Sequence, residues 1–507
     1  MKKYFVWISI FLSPMFITPS YSANLIEVYQ QALCSDQVFQ QAISQSLSDK
    51  ENVPINLAAL LPALGAVGVP AIAKANGSGS SNLIGDNTVK SYDFRLTLTQ
   101  TIFDFSKYAA FNSARDVSKQ ADASINAAIQ DLMLRVAKAY FAVLNDEDNI
   151  RNNVATKAAF AKQLEQAQQQ FKVGLKTITD VYTAQASYDS SVATYITAVN
   201  NLADDKENLR VITGIFYPSL AKLSEKFPLV TPNPNNIDAW VEKAQRQNWS
   251  IKAACYAAQA SREIVKQQFA GHFPTLSAEG SYEINFQRTI ASPLGFVDFI
   301  SNQPTVIPVG GSNQVSTSTA LLRLNIPIVQ GGLVVAQTRK AQYNYQNSLQ
   351  KLEQQTRNSL NNTRQSYLGV LSGISKINAD KQTIKSYISS LEGLQASYQV
   401  GTETLVDVLN QQQKVFQAQT QYAADRYAYV NSLLALKAAA GTLCVEDLRA
   451  INAWLIEGND EESECSAIKT VCNHTRHLKS CPLTYKAIYP KSIAKYNPRS
   501  NLRRATV

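Results

Sequence analysis

The sequence predicts an α+β chain built from two copies of one unit, each joining alternating strands to a long helical hairpin. Three observations carry this. The chain repeats itself at a fixed offset of 227 residues. Val173, Gly174, Thr177, Asp180 and Val181 recur as Val400, Gly401, Thr404, Asp407 and Val408. Tyr140, Val143, Leu144, Ile150 and Gly214 recur in the same way as Tyr367, Val370, Leu371, Ile377 and Gly441. Self-similarity at one spacing marks a duplicated structural unit. Next, no proline falls between Pro70 and Pro218, or between Pro327 and Pro482, and both gaps are rich in Ala, Gln, Leu and Lys. That is the composition of uninterrupted helix. Finally, apolar and polar residues alternate in the segments that open each gap.

The N-terminus reads as an export signal. Lys2 and Lys3 precede a largely apolar run over 4–17, and Ser20, Ser22 and Ala23 supply small residues. The pattern predicts a signal peptide over 1–22, with cleavage after Ser22 or Ala23. Pro14 and Pro19 break the run, and it is short for a membrane anchor. No Cys adjoins the cleavage point, which disfavours a lipid anchor. No later segment approaches the roughly 18 uninterrupted apolar residues of a spanning helix.

Strands come next. Residues 92–99 alternate strictly, and 276–287 do so over a longer run. Ala320, Leu322, Leu324 and Ile326 alternate with Leu321, Arg323 and Asn325. A first strand around 64–70 is less regular, because Val67 and Val69 fall on its polar side. The duplication extends here too. Pro62, Leu64 and Gly68 recur as Pro274, Leu276 and Gly280, offset by 212, and Leu96, Leu98 and Ile102 as Leu322, Leu324 and Ile328, offset by 226. The connection is therefore read as a loop 14 residues longer in the second copy. The stretches 75–87 and 289–318 are rich in Gly, Ser and Asn, which suits exposed loops. Alternation over about ten residues in an exported chain fits a membrane-spanning barrel. Four strands cannot close one, since single-chain barrels need about eight or more. An open edge in lipid leaves amides unsatisfied, so the chain is expected to oligomerise.

The helices follow. Nothing breaks 105–171 or its counterpart 333–398, each roughly 100 Å long at 1.5 Å per residue. Helices of this length imply coiled-coil-like packing. Each ends at a glycine, Gly174 or Gly401, suited to a left-handed C-cap. Thr177 with Asp180, and Thr404 with Asp407, then fit capping boxes that open a returning helix to Gly214 or Gly441. The division expected is a signal peptide 1–22, a first repeat 24–236, a second repeat 237–457, and a Cys-containing basic tail 458–507.

Charge and cysteine usage exclude other classes. The net charge is +9, but residues 469–507 hold nine Lys or Arg and no Asp or Glu, so the rest is neutral. The balance therefore gives no reason to expect nucleic acid as a partner. Cys34 and Cys255 lie on helical patterns and read as buried thiols. Cys444, Cys465, Cys472 and Cys481 crowd the C-terminal region, which in an exported chain suggests disulfides. Cys472, His474, His477 and Cys481 do not match an established zinc spacing, so no metal or other cofactor is expected. With only His272 besides those two histidines, no Ser/His/Asp arrangement or phosphate-binding loop emerges, and no enzyme is expected.

Six stretches together resemble the TolC-type outer-membrane efflux and secretion channels. They are Glu-Val-Tyr-Gln-Gln-Ala at 27–32, Gln-Thr-Ile-Phe-Asp-Phe-Ser-Lys at 100–107, Phe-Lys-Val-Gly-Leu at 171–175, Ile-Val-Gln-Gly-Gly at 328–332, Tyr-Gln-Val-Gly-Thr at 398–402 and Val-Asp-Val-Leu at 406–409. The likeness covers residue 24 to about residue 453. It implies a homotrimer with a 12-stranded β-barrel, four strands per subunit, in outer-membrane lipid. The barrel would continue as a helical tunnel through the periplasm, with a mixed equatorial layer near 216–236 and 443–457. It further implies an exit duct for multidrug efflux or type I protein secretion, working with a periplasmic adaptor (membrane-fusion) protein and an inner-membrane transporter of the ABC, RND or MFS type. The competing reading is a periplasmic coiled-coil spacer with no pore.

The resemblance also assigns residues. The adaptor-docking tips would be Val173, Gly174, Leu175, Val400, Gly401 and Thr402. The entrance gate would use Thr179, Asp180, Tyr398, Glu403, Asp407 and Asn410, with an Asp180–Tyr398 hydrogen bond as a latch. Two positions depart from the family pattern, which has Arg at Glu403 and a second Asp at Asn410. A carboxylate cannot donate as Arg would, so different closing links are expected. Asp407 alone would ring the axis, so multivalent cations should bind more weakly.

Overall fold

The computed structural model describes residues 22–75, 87–291, 294–297, 304–307 and 310–456. The expected signal peptide, apart from Ser22, lies outside these residues, as do the tail, Cys465, Cys472, Cys481 and both of its histidines. In chain order, the first repeat comprises α1 (Leu25–Ser35), α2 (Gln37–Ala58), β1 (Ala63–Ala75), β2 (Asn87–Phe103), α3 (Phe105–Lys172), α4 (Ile178–Thr213) and β3 (Lys222–Leu223). The second holds α5 (Ile237–Gln247), α6 (Trp249–Phe269), β4 (Thr275–Ala291), β5 (Leu294–Val297), β6 (Pro304–Ile307), β7 (Gly310–Asn325), α7 (Leu333–Gln399), α8 (Leu405–Ala439), α9 (Val445–Asn452) and β8 (Leu455–Ile456).

The long helices match expectation closely, and the helix expected at the start of each repeat is a pair of helices. The pair α1–α2 is matched by α5–α6, offset by 212 residues, with Asn24 and Asn236 as side-chain N-caps of α1 and α5. Asp36 and Asn248 close those two helices at equivalent places. Asp36 also starts α2, accepting from Phe39 N at 2.8 Å, and it takes both Arg135 nitrogens at 3.0 and 2.8 Å. Burial opposes charge on this carboxyl, but the Arg135 and Phe39 hydrogen bonds outweigh it and hold the pKa below the ordinary range.

The chain forms two compact units, and each draws on both repeats. One comprises residues up to Ala42, Ala127–Asn248 and the chain from Ser359; the other comprises Ile43–Asn126 and Trp249–Asn358.

In the second unit the strands form one antiparallel sheet in the order β1-β2-β4-β7. Ala63 pairs with Thr99, and at the equivalent place Thr275 pairs with Asn325. These pairs carry the offsets of 212 and 226, but the 14 extra residues are not all loop. The ladder runs from Ala63 to Ala75 on β1 but from Thr275 to Ile290 on β4, so the hairpin ladder of the second copy is longer. The rest of the insertion lies in the connection, which contains the antiparallel pair β5–β6. Much of the expected loop over 289–318 is therefore strand. Ser318, Ser316 and Gln314 lie opposite Tyr282, Ile284 and Phe286, and those partners supply the packing that β propensity alone lacks.

The sheet has two chemically distinct faces. Leu64, Leu98, Phe94, Leu96, Tyr282, Phe286 and Leu322 lie on one, with Tyr92 and Phe286 ring centroids 6.3 Å apart. Leu64 and Leu322 are 69% and 68% exposed. On the other face Arg95 bonds Glu283 at 3.0 Å, and Arg323 bonds Glu279 at 3.0 Å. Val67 and Val69 sit on this charged face opposite Arg95 and Asp93, as the sequence indicated. Among the described residues no helix is long and apolar enough to cross a membrane. Strand passes to helix across one residue, Asp104, whose Oδ1 accepts from Ser106 N at 3.0 Å.

In the first unit a mixed layer surrounds the middles of the hairpins. β3 pairs with β8, and Ala23 bridges Leu220. Buried Tyr140 donates to Ala221 O at 2.8 Å, and Tyr429 donates to Val230 O at 2.9 Å. Arg426 donates to Ser224 O at 2.8 Å and lies over the Phe227 ring. Two cysteine readings need correction. Cys34 is exposed and disulfide-bonded rather than a buried thiol, because it falls on the outer side of α1. Cys255 is half-buried and free, and Cys444 is a free thiol that precedes α9 and donates to Asp447 Oδ2 at 3.4 Å.

Gly441 ends α8 with φ +74°, and a Cβ there would lie 2.5 Å from Gln247 O. Gly401 has φ +84° and open space. Both tolerate Ala poorly in conformation, but only Gly441 also faces a clash with backbone. Gly401→Ala should cost about 1 kcal/mol and Gly441→Ala at least about 3 kcal/mol, measured by denaturant unfolding.

Candidate functional site at the paired hairpin tips

Both hairpins turn by the same device. At the end of α3, Gly174 N donates to Phe171 O at 2.9 Å and Leu175 N donates to Gln170 O at 2.9 Å. At the end of α7, Gly401 N donates to Tyr398 O at 3.1 Å and Thr402 N donates to Ser397 O at 3.0 Å. These are Schellman motifs, with the glycines at φ +76° and +84°. The turn leaves Val173, Leu175 and Val400 each at least 70% exposed among the described residues, an apolar crown.

The capping boxes form as read from the sequence. Thr177 N donates to Asp180 Oδ2 at 3.1 Å, and Asp180 N donates to Thr177 Oγ1 at 3.3 Å. Thr404 N donates to Asp407 Oδ2 at 3.3 Å, and the Thr404 hydroxyl donates to the same oxygen. Asp180 and Asp407 are both half-buried, and each is bound through Oδ2, so Oδ1 stays available. Thr179, Glu403 and Asn410 are exposed.

A small apolar cluster joins the two hairpins near the tips. Phe160, Ala167 and Ala184 of the first hairpin meet Leu405 and Leu409 of the second, with Tyr398 packed against them. The expected latch differs in its acceptor. Within the chain the Tyr398 hydroxyl donates to Gln170 Oε1 at 3.3 Å, not to Asp180. Thr177 holds Oδ2 of Asp180, and the uncharged Gln170 carbonyl lies nearer the phenol. Burial raises the Tyr398 pKa first, and the charge of Asp180 raises it further. Lys176 Nζ lies 4.2 Å from the centre of the Tyr398 ring.

Away from the cluster the seam is polar. Gln163 Nε2 donates to Gln412 Oε1. A cavity of about 420 Å³ is lined by seven glutamines with Tyr398 and Lys162. Another, of about 700 Å³, is lined by Asn, Ser, Thr and Gln around Phe160 and Phe416. Neither lining contains a carboxylate. The hairpins therefore meet through amides and hydroxyls that water can replace at little cost, and the apolar cluster supplies the specific contact.

Sequence reasoning missed a buried carboxyl pair in each hairpin. On α3, nearly buried Asp146 is pushed up to about 6, first by burial and then by Asp205 of α4. On α7, Asp380 is raised by burial and by Asp425 of α8. Asp425 is buried, accepts from Gln421 at 2.9 Å and lies 3.8 Å from Lys376 Nζ. Asp380 Oδ2 is buried with no hydrogen-bond partner among the described residues. Neither pair follows the 227-residue offset, so the repeat gave no signal for them. Among the described residues no His/Cys/Asp/Glu group could hold a metal ion.

The family model described as outer membrane efflux protein matches residues 28–215 and 240–442. Outer membrane protein TolC of Escherichia coli is 36% identical over 438 residues, covering 86% of this chain and 86% of that protein. Alkaline protease secretion protein AprF of Pseudomonas aeruginosa is 25% identical over 473 residues, covering 91% and 93%. In fold, the chain resembles the CmeC outer membrane channel of Campylobacter jejuni, with a TM-score of 0.68 at 16% identity over 85% of this chain and 90% of that one.

The raised Asp146 pKa sets the sign of a pH effect. Folding favours the protonated acid, so this group stabilises the fold as pH falls through about 6 and saturates near the ordinary 3.8. Asp146→Asn should stabilise by on the order of 1–2 kcal/mol at pH 7.5, by roughly half as much at pH 5 and by almost nothing below about pH 3.5. Denaturant midpoints of both proteins across that range will check it.

Proposed function

The chain belongs to the outer membrane efflux protein family, and from that premise we propose that it is a passive outer-membrane exit duct. It serves tripartite drug efflux, type I protein secretion or both. The secretion role is suggested by the name of the AprF relative. The observation that carries the reading is the sheet, with its exposed apolar face, ion-paired opposite face and two outer strands, β1 and β7, in a chain whose described helices cannot cross a membrane. Three chains would close twelve strands, with the apolar face to lipid and Arg95, Glu283, Arg323 and Glu279 lining the lumen. A periplasmic spacer has no use for such a sheet, so that alternative is not favoured.

Six hairpins, two per chain, would ring the periplasmic entrance. Val173, Gly174, Leu175, Val400, Gly401 and Thr402 would present the exposed crown to an adaptor, itself linked to an inner-membrane transporter. Tyr398, with Thr179, Asp180, Glu403, Asp407 and Asn410, would form the gate. Asp407 supplies one carboxylate per chain near its capping box, and three around an axis would attract cations.

Purified protein in planar bilayers should give discrete conductance steps, with heat-modifiable migration on gels. A trivalent cation should block it weakly, and Asp407→Ala should abolish the block. An unchanged block would remove Asp407 from the pore. The docking role has its own test. No atom lies within 4 Å of a Cβ built at Gly174 or Gly401, and Asn accepts the left-handed conformation. Gly174→Asn and Gly401→Asn should therefore leave conductance intact while export falls about tenfold, the effect of losing about 1.4 kcal/mol of docking.

A further inference from the structure

Tyr398 is the one gate candidate that the first hairpin grips from several sides. Its ring lies against the apolar cluster, and its hydroxyl donates to Gln170 of α3 at 3.3 Å. Lys176, in the turn between α3 and α4, places its ammonium 4.2 Å from the ring centre. The Asp180 charge on α4 is near enough to be felt by the phenol. Three successive parts of one hairpin therefore converge on one side chain of the other.

The repeat shows that this arrangement is one-sided. At the 227-residue offset the equivalent of Lys176 is Glu403, and the equivalent of Tyr398 is Phe171. A cation over an aromatic face is attracted by the ring quadrupole, whereas a carboxylate is repelled. The swapped pair, Glu403 with Phe171, cannot reproduce the contact. Whichever hairpin lies on its other flank, the second hairpin cannot be held there by the same pair.

We propose that Lys176 is a positioning residue of the gate, a cationic cap that holds Tyr398 against the first hairpin of its own chain and so favours the closed entrance. The inference rests on the gate reading given above. It also supplies a closing link that Glu403 cannot make. A contact of this kind at a partly exposed site shifts an equilibrium by roughly two- to fivefold.

The test uses the full-length channel in planar bilayers at fixed salt. Lys176→Met keeps the stem and removes the charge, and should raise time-averaged conductance about two- to fivefold. Lys176→Arg keeps the cation and should conduct like the parent. Tyr398→Leu alone should raise conductance, and Lys176→Met should add nothing to it. A Met variant that conducts like the parent, or that raises conductance equally in the Leu background, overturns the role of Lys176 while leaving the gate reading intact. If Tyr398→Leu itself leaves conductance unchanged, the gate reading falls and the cap with it.

Discussion

The rest of the structure depends on a sheet that cannot satisfy itself. β1 and β7 flank a four-stranded ladder whose apolar face is exposed and whose other face carries Arg–Glu pairs. In water such a face would be a liability, and in lipid two open edges would cost several kcal/mol per unpaired amide. Lipid covers the apolar face, and closure with other strands, as in the barrel proposed above, pairs both edges. Once closure is required, the duplication follows naturally. A symmetric ring is easiest to build from near-identical units, and equivalent pairs such as Ala63–Thr99 and Thr275–Asn325 keep the register the same in both copies.

The hairpins obey a different constraint. A 68-residue helix has no globular core of its own, and its stability must come from contacts spread along its length. Near the mixed layer those contacts are specific and buried: Tyr140 and Tyr429 on backbone carbonyls, Arg426 on Ser224, Arg135 on Asp36. Near the tips they thin to one apolar cluster, a phenol and a glutamine seam. A weak, wet seam beside a strong anchored region is what the proposed gate would need, because little would have to be broken for the tips to part.

Much of this was legible in the sequence, for identifiable reasons. Helices over 105–171 and 333–398 could be read because nothing interrupts them, and their ends because Gly174, Gly401 and the Thr–Asp boxes are local chemistry. What was missed depends on partners distant in sequence. The strand over 310–318 looked like loop because its own residues are Gly, Ser and Thr, and its order comes from the aromatic residues of β4. A helix opening each repeat was expected, but its division into α1–α2 and α5–α6 rests on the caps at Asp36 and Asn248, whose partners show only in the fold. The Asp146–Asp205 and Asp380–Asp425 pairs need two helices in register before their chemistry exists.

The tips show how duplication and function diverge. Both copies keep what the backbone requires: a left-handed glycine, a threonine cap and an aspartate three residues later. They differ where the two hairpins touch. Phe171 has no hydroxyl whereas that of Tyr398 reaches Gln170, and Lys176 faces a ring while Glu403 is exposed. Lys176 and Tyr398 are only half-buried, so folding alone would constrain them loosely. A cation, an acceptor and a nearby carboxylate all directed at one tyrosine instead form a set whose members matter only together. The asymmetry between the copies is therefore informative: where a repeat keeps its turn but changes the residues around it, the changed residues mark the contact on which the proposed gate depends.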